Sequence, residues 1–185
     1  VSIASKFATV NNITLHYVEH ATGNLQDEQT GYSSQPVLLC LHGANSQAHV
    51  FDDFAKDERV IEKFRVVALD LRGHGKSDWA ESYLTNDYVS DVDAFVNHLG
   101  AQSVTILGMS LGGLVGQSYA GNFPQKVNAL ISVDIGPGIS PEALQKLVSG
   151  PPSPATFESL DAAVEFASHS FAWPKVENGI LRKDI

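Results

Sequence analysis

The stretch Val104-Thr105-Ile106-Leu107-Gly108-Met109-Ser110-Leu111-Gly112-Gly113 decides the fold of this chain. Its first four residues predict a buried strand, and the residues after Ser110 predict a helix. Between them stands the pattern G-x-S-x-G, whose glycines leave room for a sharp turn from strand to helix. The pattern therefore predicts that Ser110 is a nucleophile on that turn. A tight structural turn is the simpler alternative, and a phosphate-binding loop requires a glycine and lysine spacing that is missing.

Strand and helix patterns alternate along most of the chain. We expect a hairpin at its start, because the pair Asn11-Asn12 tolerates left-handed turn conformations. Thr85 is expected to cap a helix, and Gly100 to end it. The predicted strands are 7–10, 13–18, 37–41, 65–69, 104–107 and 127–133, and the predicted helices are 48–55, 85–99 and 111–122. This order predicts an α/β fold with a mostly parallel sheet, helices on both faces and an N-terminal antiparallel hairpin.

The composition is that of a globular domain with an acidic surface. The chain has 185 residues, a hydrophobic fraction of 43% and a formal net charge of -9. Such a charge does not favour nucleic acid or anionic lipid as a partner. The single cysteine, Cys40, lies in an apolar run and is expected to be a buried thiol. We see no membrane-spanning run and no secretory signal, and therefore expect a cytoplasmic protein.

The alternation stops after Asp134. Gly136-Pro137-Gly138 breaks the pattern, and Pro151-Pro152-Ser153-Pro154 is expected to be an irregular connector. Two helices are predicted around that connector, over 141–148 and 160–171. We therefore expect residues 1–137 to form the core and residues 138–185 to form part of a helical cap.

The segment His42-Gly43-Ala44-Asn45 directly follows a predicted buried strand. Acyl transfer develops negative charge on an oxygen, which two preorganised N–H groups stabilise. The expected oxyanion hole is the pair of backbone N–H groups of Ala44 and Leu111. His42 is a tempting general base, but we favour a role in which its hydrogen bonds order this loop.

Four segments together resemble the α/β-hydrolase superfamily. They are His42-Gly43, the loop Asp70-Leu71-Arg72-Gly73-His74-Gly75-Lys76-Ser77, the turn Gly108-Met109-Ser110-Leu111-Gly112-Gly113, and Val133-Asp134-Ile135-Gly136-Pro137. The resemblance covers residues 7–137 well and implies a serine esterase-like member with a helical cap. It implies a Ser–acid–His triad, no cofactor and no metal. It also implies that the loop 72–77 is mainly architectural.

The triad partners of Ser110 are the open part of this interpretation. In α/β-hydrolases the acid and then the histidine follow the serine in the chain. Asp134 is a candidate acid at the end of a strand, with bracing of the next turn as the alternative. His169 follows Ser110 but lies in the predicted cap, so we expect a packing or surface role. His16, His20, His49 and His98 are expected on the surface or on a helix face, and His74 in the structural loop.

The resemblance implies two further strands beyond the cap, with the histidine and a later site for the acid. We therefore expect a C-terminal segment or a second chain to complete the fold, and the 185-residue chain alone to have little esterase activity. The expected reaction is cleavage of a small carboxylic ester through an acyl-enzyme on Ser110. Lactone, thioester and C–C bond hydrolysis use the same fold and stay open. A non-catalytic receptor for a small ligand is the alternative from another class.

Overall fold

The computed structural model describes residues 2–21, 35–136, 138, 140, 142, 154 and 156–170, with backbone only for 167–170. It divides the chain into two compact units, Val1–Ile135 and Gly136–Ile185. The assignment of residues 138–185 to a partial cap stays a prediction. The predicted helix over 141–148 lies outside the described residues except for Glu142.

The first unit is built on a sheet of six strands. They are β1 (Ser2–Val10), β2 (Ile13–Ala21), β3 (Val37–Leu41), β4 (Arg65–Leu69), β5 (Val104–Met109) and β6 (Val127–Val133). Their order in the sheet is β1-β2-β4-β3-β5-β6. The pairs β3/β4, β3/β5 and β5/β6 are parallel, whereas β1/β2 and β2/β4 are antiparallel. The predicted mostly parallel sheet with an N-terminal antiparallel hairpin is confirmed.

Helices connect these strands on both faces of the sheet. A 3-10 turn (Ala48–Phe51), α1 (Asp52–Ala55) and α2 (Glu58–Ile61) join β3 to β4. Helices α3 (Thr85–His98) and α4 (Leu111–Asn122) precede and follow β5, and a 3-10 turn (Pro124–Lys126) leads into β6. The second unit contains α5 (Leu160–Ser170). The ring centroid of Phe166 in this helix lies 5.4 Å from that of Phe157, which precedes it.

The core has two layers because strand side chains alternate between the faces of the sheet. Leu39 and Leu41 of β3 pack with α3 and α4, whereas Leu38 and Cys40 pack with the 3-10 turn and α1. All five residues of β3 and of β4 are buried, as the unbroken apolar runs predicted. Cys40 is buried, as expected, and burial raises the pKa of its thiol.

The chain leaves β3 toward one face of the sheet and leaves β5 toward the other, although these two strands are neighbours. A parallel sheet opens a crevice at its carboxyl edge where neighbouring connections diverge in this way. The segments that follow β3 and β5 begin at His42 and Ser110. The topology therefore brings them together at one edge.

Within the described ranges, no helix is long and apolar enough to cross a membrane.

Candidate active site

Ser110 occupies a strained turn between β5 and α4. Its backbone angles are φ 48 and ψ -111, a region that L-residues with a side chain rarely adopt. Two hydrogen bonds fix this backbone: the Ser110 N–H donates to the carbonyl oxygen of Val133 at 2.9 Å, and the Leu114 N–H donates to the carbonyl oxygen of Ser110 at 3.0 Å. The half-buried serine is thus held by β6 on one side and by its own helix on the other.

Close packing explains the two glycines that flank Ser110. A Cβ on Gly108 would overlap the carbonyl oxygen of Gly112, and a Cβ on Gly112 would overlap the backbone of Leu41. Neither glycine has a positive φ. The G-x-S-x-G pattern therefore reflects the close approach of α4 to β3 and β5, and the unusual conformation falls on Ser110 itself.

The loop after β3 is tied directly to this turn. The N–H of Gly112 donates to the carbonyl oxygen of His42 at 3.0 Å. A Cβ built on Gly43 would lie 3.5 Å from the Cβ of Ser110, so the loop passes beside the serine. Ala44 is exposed and Leu111 is half-buried, and in the described part of the chain neither backbone N–H has an acceptor. Each of these two N–H groups is thus a donor that no described residue uses.

His42 is fully buried, and both ring nitrogens are engaged. Its Nε2 lies 3.0 Å from the backbone N of Leu71, which can only donate, so Nε2 accepts and Nδ1 carries the proton. That Nδ1 donates to the carbonyl oxygen of Gly43 at 2.7 Å. Burial lowers the pKa of His42 to about 4. The preferred interpretation, in which His42 orders the loop, is confirmed, since no nitrogen remains to take a proton from Ser110.

Asp134 directly follows β6 at the same edge of the sheet. Val133 of β6 pairs with Met109 of β5. Asp134 and Ser110 directly follow these two residues, so they lie beside each other at the ends of neighbouring strands. Asp134 is exposed and has a left-handed backbone with φ 55, which aspartate tolerates better than most residues. Its carboxylate makes no hydrogen bond to another described residue. It is therefore accessible to a partner that approaches this edge.

Comparison with known proteins matches residues 36–178 to the model of the alpha/beta hydrolase fold family. The chain belongs to the alpha/beta hydrolase fold family. The matched segment includes the strained turn at Ser110, the loop after β3 and Asp134.

Two relatives of this chain are named hydrolases. The chain is 31% identical over 158 residues to a 3-hydroxybutyrate-oligomer hydrolase of Cupriavidus necator, covering 79% of this chain and 53% of the relative. It is also 31% identical over 144 residues to 2-(acetamidomethylene)succinate hydrolase of Mesorhizobium japonicum, covering 77% of this chain and 47% of the relative. The chain thus spans about half the length of these curated relatives.

Two solved structures show the same fold over nearly the whole chain. A crystal structure of an alpha/beta hydrolase from Novosphingobium aromaticivorans is 27% identical with a TM-score of 0.75, and covers 97% of this chain and 62% of its own. A structure of E-2-(acetamidomethylene)succinate hydrolase is 26% identical with a TM-score of 0.78, and covers 99% and 63%.

The histidines of this chain differ from expectation at two positions. His98 is exposed and His49 half-buried, but His16 and His20 are fully buried, so the prediction of surface positions is wrong for these two. Strand β2 is covered on both faces, which its mixed polar sequence did not indicate. His169 lies in α5 as predicted, and its side chain is outside the described residues.

Asp70 is fully buried and holds the loop after β4 through hydrogen bonds, a role that the sequence pattern did not indicate. Its carboxylate accepts hydrogen bonds from the backbone N–H of Ala48 at 2.6 Å and of Lys76 at 2.9 Å. Glycine is required at position 75 for two reasons: a Cβ there would overlap this carboxylate, and the backbone has φ 54, which favours glycine. The resemblance implied an architectural loop, and these contacts agree with it.

Arg72 fixes the other end of that loop. Its guanidinium donates to Asp91 of α3 through Nε at 2.6 Å and Nη2 at 2.8 Å. The hydrogen bonds from Arg72 to Asp91 raise the pKa of this arginine. His74 also stays local, with its Nδ1 2.9 Å from the carbonyl oxygen of Arg72. Among the described residues, no group of three or more His, Cys, Asp or Glu side chains could hold a metal ion.

Proposed function

We propose that this chain carries the nucleophile and the oxyanion hole of a serine hydrolase that cleaves carboxylic esters. The observation that carries the proposal is the backbone of Ser110, with φ 48 and ψ -111 at the start of α4. A strained backbone conformation persists only where the surrounding structure enforces it, and such residues cluster at active sites. The function of the conformation here is to expose a hydroxyl beside the N–H groups at the beginning of a helix.

In the proposed reaction, the Ser110 Oγ attacks the ester carbonyl carbon while a histidine of the whole protein takes its proton. The carbonyl oxygen becomes negative and accepts hydrogen bonds from the N–H groups of Leu111 and Ala44. Loss of one such donor typically costs about 3 kcal/mol of transition-state stabilisation. Collapse of the intermediate expels the alcohol and leaves an ester on Ser110, which water then hydrolyses with the same histidine as base.

Asp134 is the proposed acid of the triad. It follows β6 directly, and the carbonyl oxygen of its neighbour Val133 accepts the hydrogen bond of the Ser110 N–H. A carboxylate at this position is within the same sheet edge as the nucleophile and is exposed. It would hold an imidazole in the tautomer that accepts the serine proton.

The name of one relative supports an ester as substrate. This relative acts on oligomers of 3-hydroxybutyrate, and hydroxy acids join to one another through carboxylic ester bonds. The second relative is also named a hydrolase. Small carboxylic esters are therefore the substrate class that we propose for the whole protein.

A fluorophosphonate probe tests the nucleophile. We expect stoichiometric phosphonylation of the peptide that contains Ser110 in the complete protein, and none at that peptide after Ser110→Ala. Gln117→Ala, a change on the same helix away from the turn, serves as the matched control. Absence of label at Ser110, together with a ligand-induced rise in melting temperature, would support a non-catalytic receptor instead.

A substrate panel separates the remaining alternatives. Short p-nitrophenyl esters, lactones, acyl thioesters and vinylogous diketones are offered to the complete protein and to its Ser110→Ala variant. The proposal expects the highest Ser110-dependent kcat/KM with the simple esters. A preference for the thioester, the lactone or the diketone would transfer the proposal to that reaction.

A further inference from the structure

A second serine of this chain is hydrogen bonded to an imidazole that is itself hydrogen bonded to a carboxylate. The Oγ of Ser5 lies 2.7 Å from Nε2 of His16, and Nδ1 of His16 lies 2.7 Å from Oδ2 of Asp70. These residues come from β1, from β2 and from the loop after β4. A nucleophile, a base within hydrogen-bond reach and a third group that orients the base form the general arrangement of an activated serine.

The hydrogen bonds of Asp70 determine which nitrogen of His16 carries the proton. Two backbone N–H groups, of Ala48 and Lys76, donate to this carboxylate, and backbone N–H groups cannot accept. The same Oδ2 that accepts from Lys76 faces Nδ1 of His16, so Nδ1 is the donor. The lone pair of Nε2 consequently faces Ser5 and accepts a hydrogen bond from its hydroxyl. This is the tautomer in which a histidine acts as base toward a serine.

An activated serine needs an accessible hydroxyl and a fixed base, and the burial of these three residues fits both needs. His16 and Asp70 are fully buried, so the imidazole ring and the carboxylate have fixed orientations. Ser5 is exposed on the edge strand β1, so a reagent can reach its hydroxyl.

The surface around Ser5 is apolar. Ile3 and Phe7 lie on the same face of β1 as Ser5, since alternate residues of a strand share a face. They are 47% and 56% exposed, so both side chains present apolar surface to solvent beside the Ser5 hydroxyl. The Phe7 ring centroid lies 5.1 Å from that of His16. An alkyl or aryl group would therefore find contacts on both sides of the hydroxyl.

We propose that Ser5, with His16 as base and Asp70 orienting that base, is a second nucleophilic serine that accepts acyl or phosphonyl groups from activated apolar donors. With a fluorophosphonate, the Ser5 Oγ forms a bond to phosphorus and the P–F bond breaks. Fluoride leaves, and the hydroxyl proton passes to Nε2 of His16 and then to water. With an activated ester, the same oxygen takes the acyl group and the phenolate leaves.

Ser5 differs from Ser110 in its surroundings. Ser110 stands at the start of a helix, whereas Ser5 lies within a strand and has no following helix to supply N–H groups. One oxyanion donor is worth roughly 100-fold or more in rate. We therefore expect Ser5 to be modified more slowly than a serine with such donors, and to retain the group that it accepts.

The experiment uses an alkyl fluorophosphonate and peptide mapping of the Ser110→Ala variant, so that reaction at the turn before α4 cannot contribute. Ser90 is the internal control, because it is exposed on α3 and accepts a hydrogen bond from Asn11. General-base assistance is worth typically 100-fold or more. We expect Ser5 to be phosphonylated about 100-fold faster than Ser90 on the same molecules.

Three variants in this background complete the test. Ser5→Ala is expected to remove the adduct, Ser90→Ala to leave it unchanged, and His16→Gln to slow it to the rate of Ser90. If His16→Gln fails to fold, the comparison of Ser5 with Ser90 in the parent still decides. Labelling of Ser5 no faster than Ser90 would overturn the proposal and make the Ser5–His16 contact purely structural. Labelling of Ser110 in the unmodified protein is a separate result and tests the ester hydrolase alone.

Discussion

The imidazole Nε2 of His42 accepts a hydrogen bond from the backbone N–H of Leu71 at 3.0 Å, which joins the loop after β3 to the loop after β4. The contact is possible only with a neutral ring, because the protonated ring has two donors and no acceptor. It therefore makes the order of the loop after β3 depend on pH.

Acidification is expected to destabilise the fold through His42. Its pKa is about 4 when folded against an ordinary value of 6.5, so the unfolded state binds a proton first. Stability is full above pH 6.5 and falls as the pH drops toward 4, by a total on the order of 3 kcal/mol from this residue. Denaturant unfolding at pH 7 and at pH 4.5 measures the loss.

A histidine comparison isolates that contribution. His42→Asn is expected to lower stability at pH 7 and to reduce the further loss between pH 7 and 4.5. His98→Asn, at an exposed position on α3, should leave both quantities close to those of the parent. Equal pH dependence in the parent and in His42→Asn would contradict this explanation.

The backbone strain at Ser110 predicts a separation of stability from activity. Ser110→Gly removes the side chain from a left-handed conformation that costs L-residues about 1–2 kcal/mol. We expect this variant to be about 1 kcal/mol more stable than Ser110→Ala, and both to lack label from a fluorophosphonate at this position. Denaturant unfolding of the two variants provides the measurement. A glycine variant no more stable than the alanine variant would show that the conformation is unstrained.

Two glycines of α4 provide a matched pair for the packing of this helix. Gly112→Ala would press a methyl group into the backbone of Leu41 and should cost about 1–3 kcal/mol. The added Cβ of Gly121→Ala would meet no heavy atom within 4 Å, so this change should stabilise the helix by about 0.5–1 kcal/mol. Thermal and denaturant unfolding measure both. Similar effects of the two substitutions would show that α4 does not approach β3 closely.

Removing one partner of the buried ion pair between Arg72 and Asp91 should lower the free energy of unfolding considerably. The side chains are 9% and 3% exposed, so Arg72→Met leaves a buried carboxylate without its cation and should cost about 3 kcal/mol. Arg72→Met with Asp91→Leu should recover much of that loss, because neither charge remains. Arg59→Met, which breaks an exposed pair with Asp57, is the control and should change stability little. No recovery in the double variant would contradict this account.

The parallel part of the sheet could be predicted from the sequence because its strands carry their own evidence. Val37–Leu41 and Arg65–Leu69 have the predicted bounds, since continuous apolar runs between polar turns leave little freedom. The turn at Ser110 and helix α4 were likewise predicted from local residues. The hairpin strands are longer than predicted, as Ser2–Val10 and Ile13–Ala21.

The polar residues of β2 explain why its length and burial were missed. Glu19 is fully buried, and burial alone would raise its pKa, but hydrogen bonds from Arg65 and Lys6 outweigh this effect and lower it. These partners are distant in the sequence, as is Asp70 for His16. A pattern of local residues cannot show that a polar side chain has a partner elsewhere.

The start of α3 shows the same limit at short range. Thr85 was predicted as the cap, but it is the first helical residue, and Leu84 precedes the helix. The side chain of Asp87 accepts a hydrogen bond from the Leu84 N–H at 2.8 Å, and also one from Ser82. The carboxylate two residues after Thr85 thus satisfies the N–H of the residue before the helix, which is the reciprocal half of a capping box, and Thr85 does not cap.

The two hydrogen bonds that join the turn at Ser110 to β6 and to the loop after β3 have an evolutionary consequence. The backbone that carries the Ser110 hydroxyl is positioned by three adjoining strands, whereas the connecting segments at the surface tolerate more change. Those segments are free to diversify and to select different molecules while the hydroxyl keeps its position. Under the proposed function, new specificities can therefore arise on this scaffold through its surface segments alone.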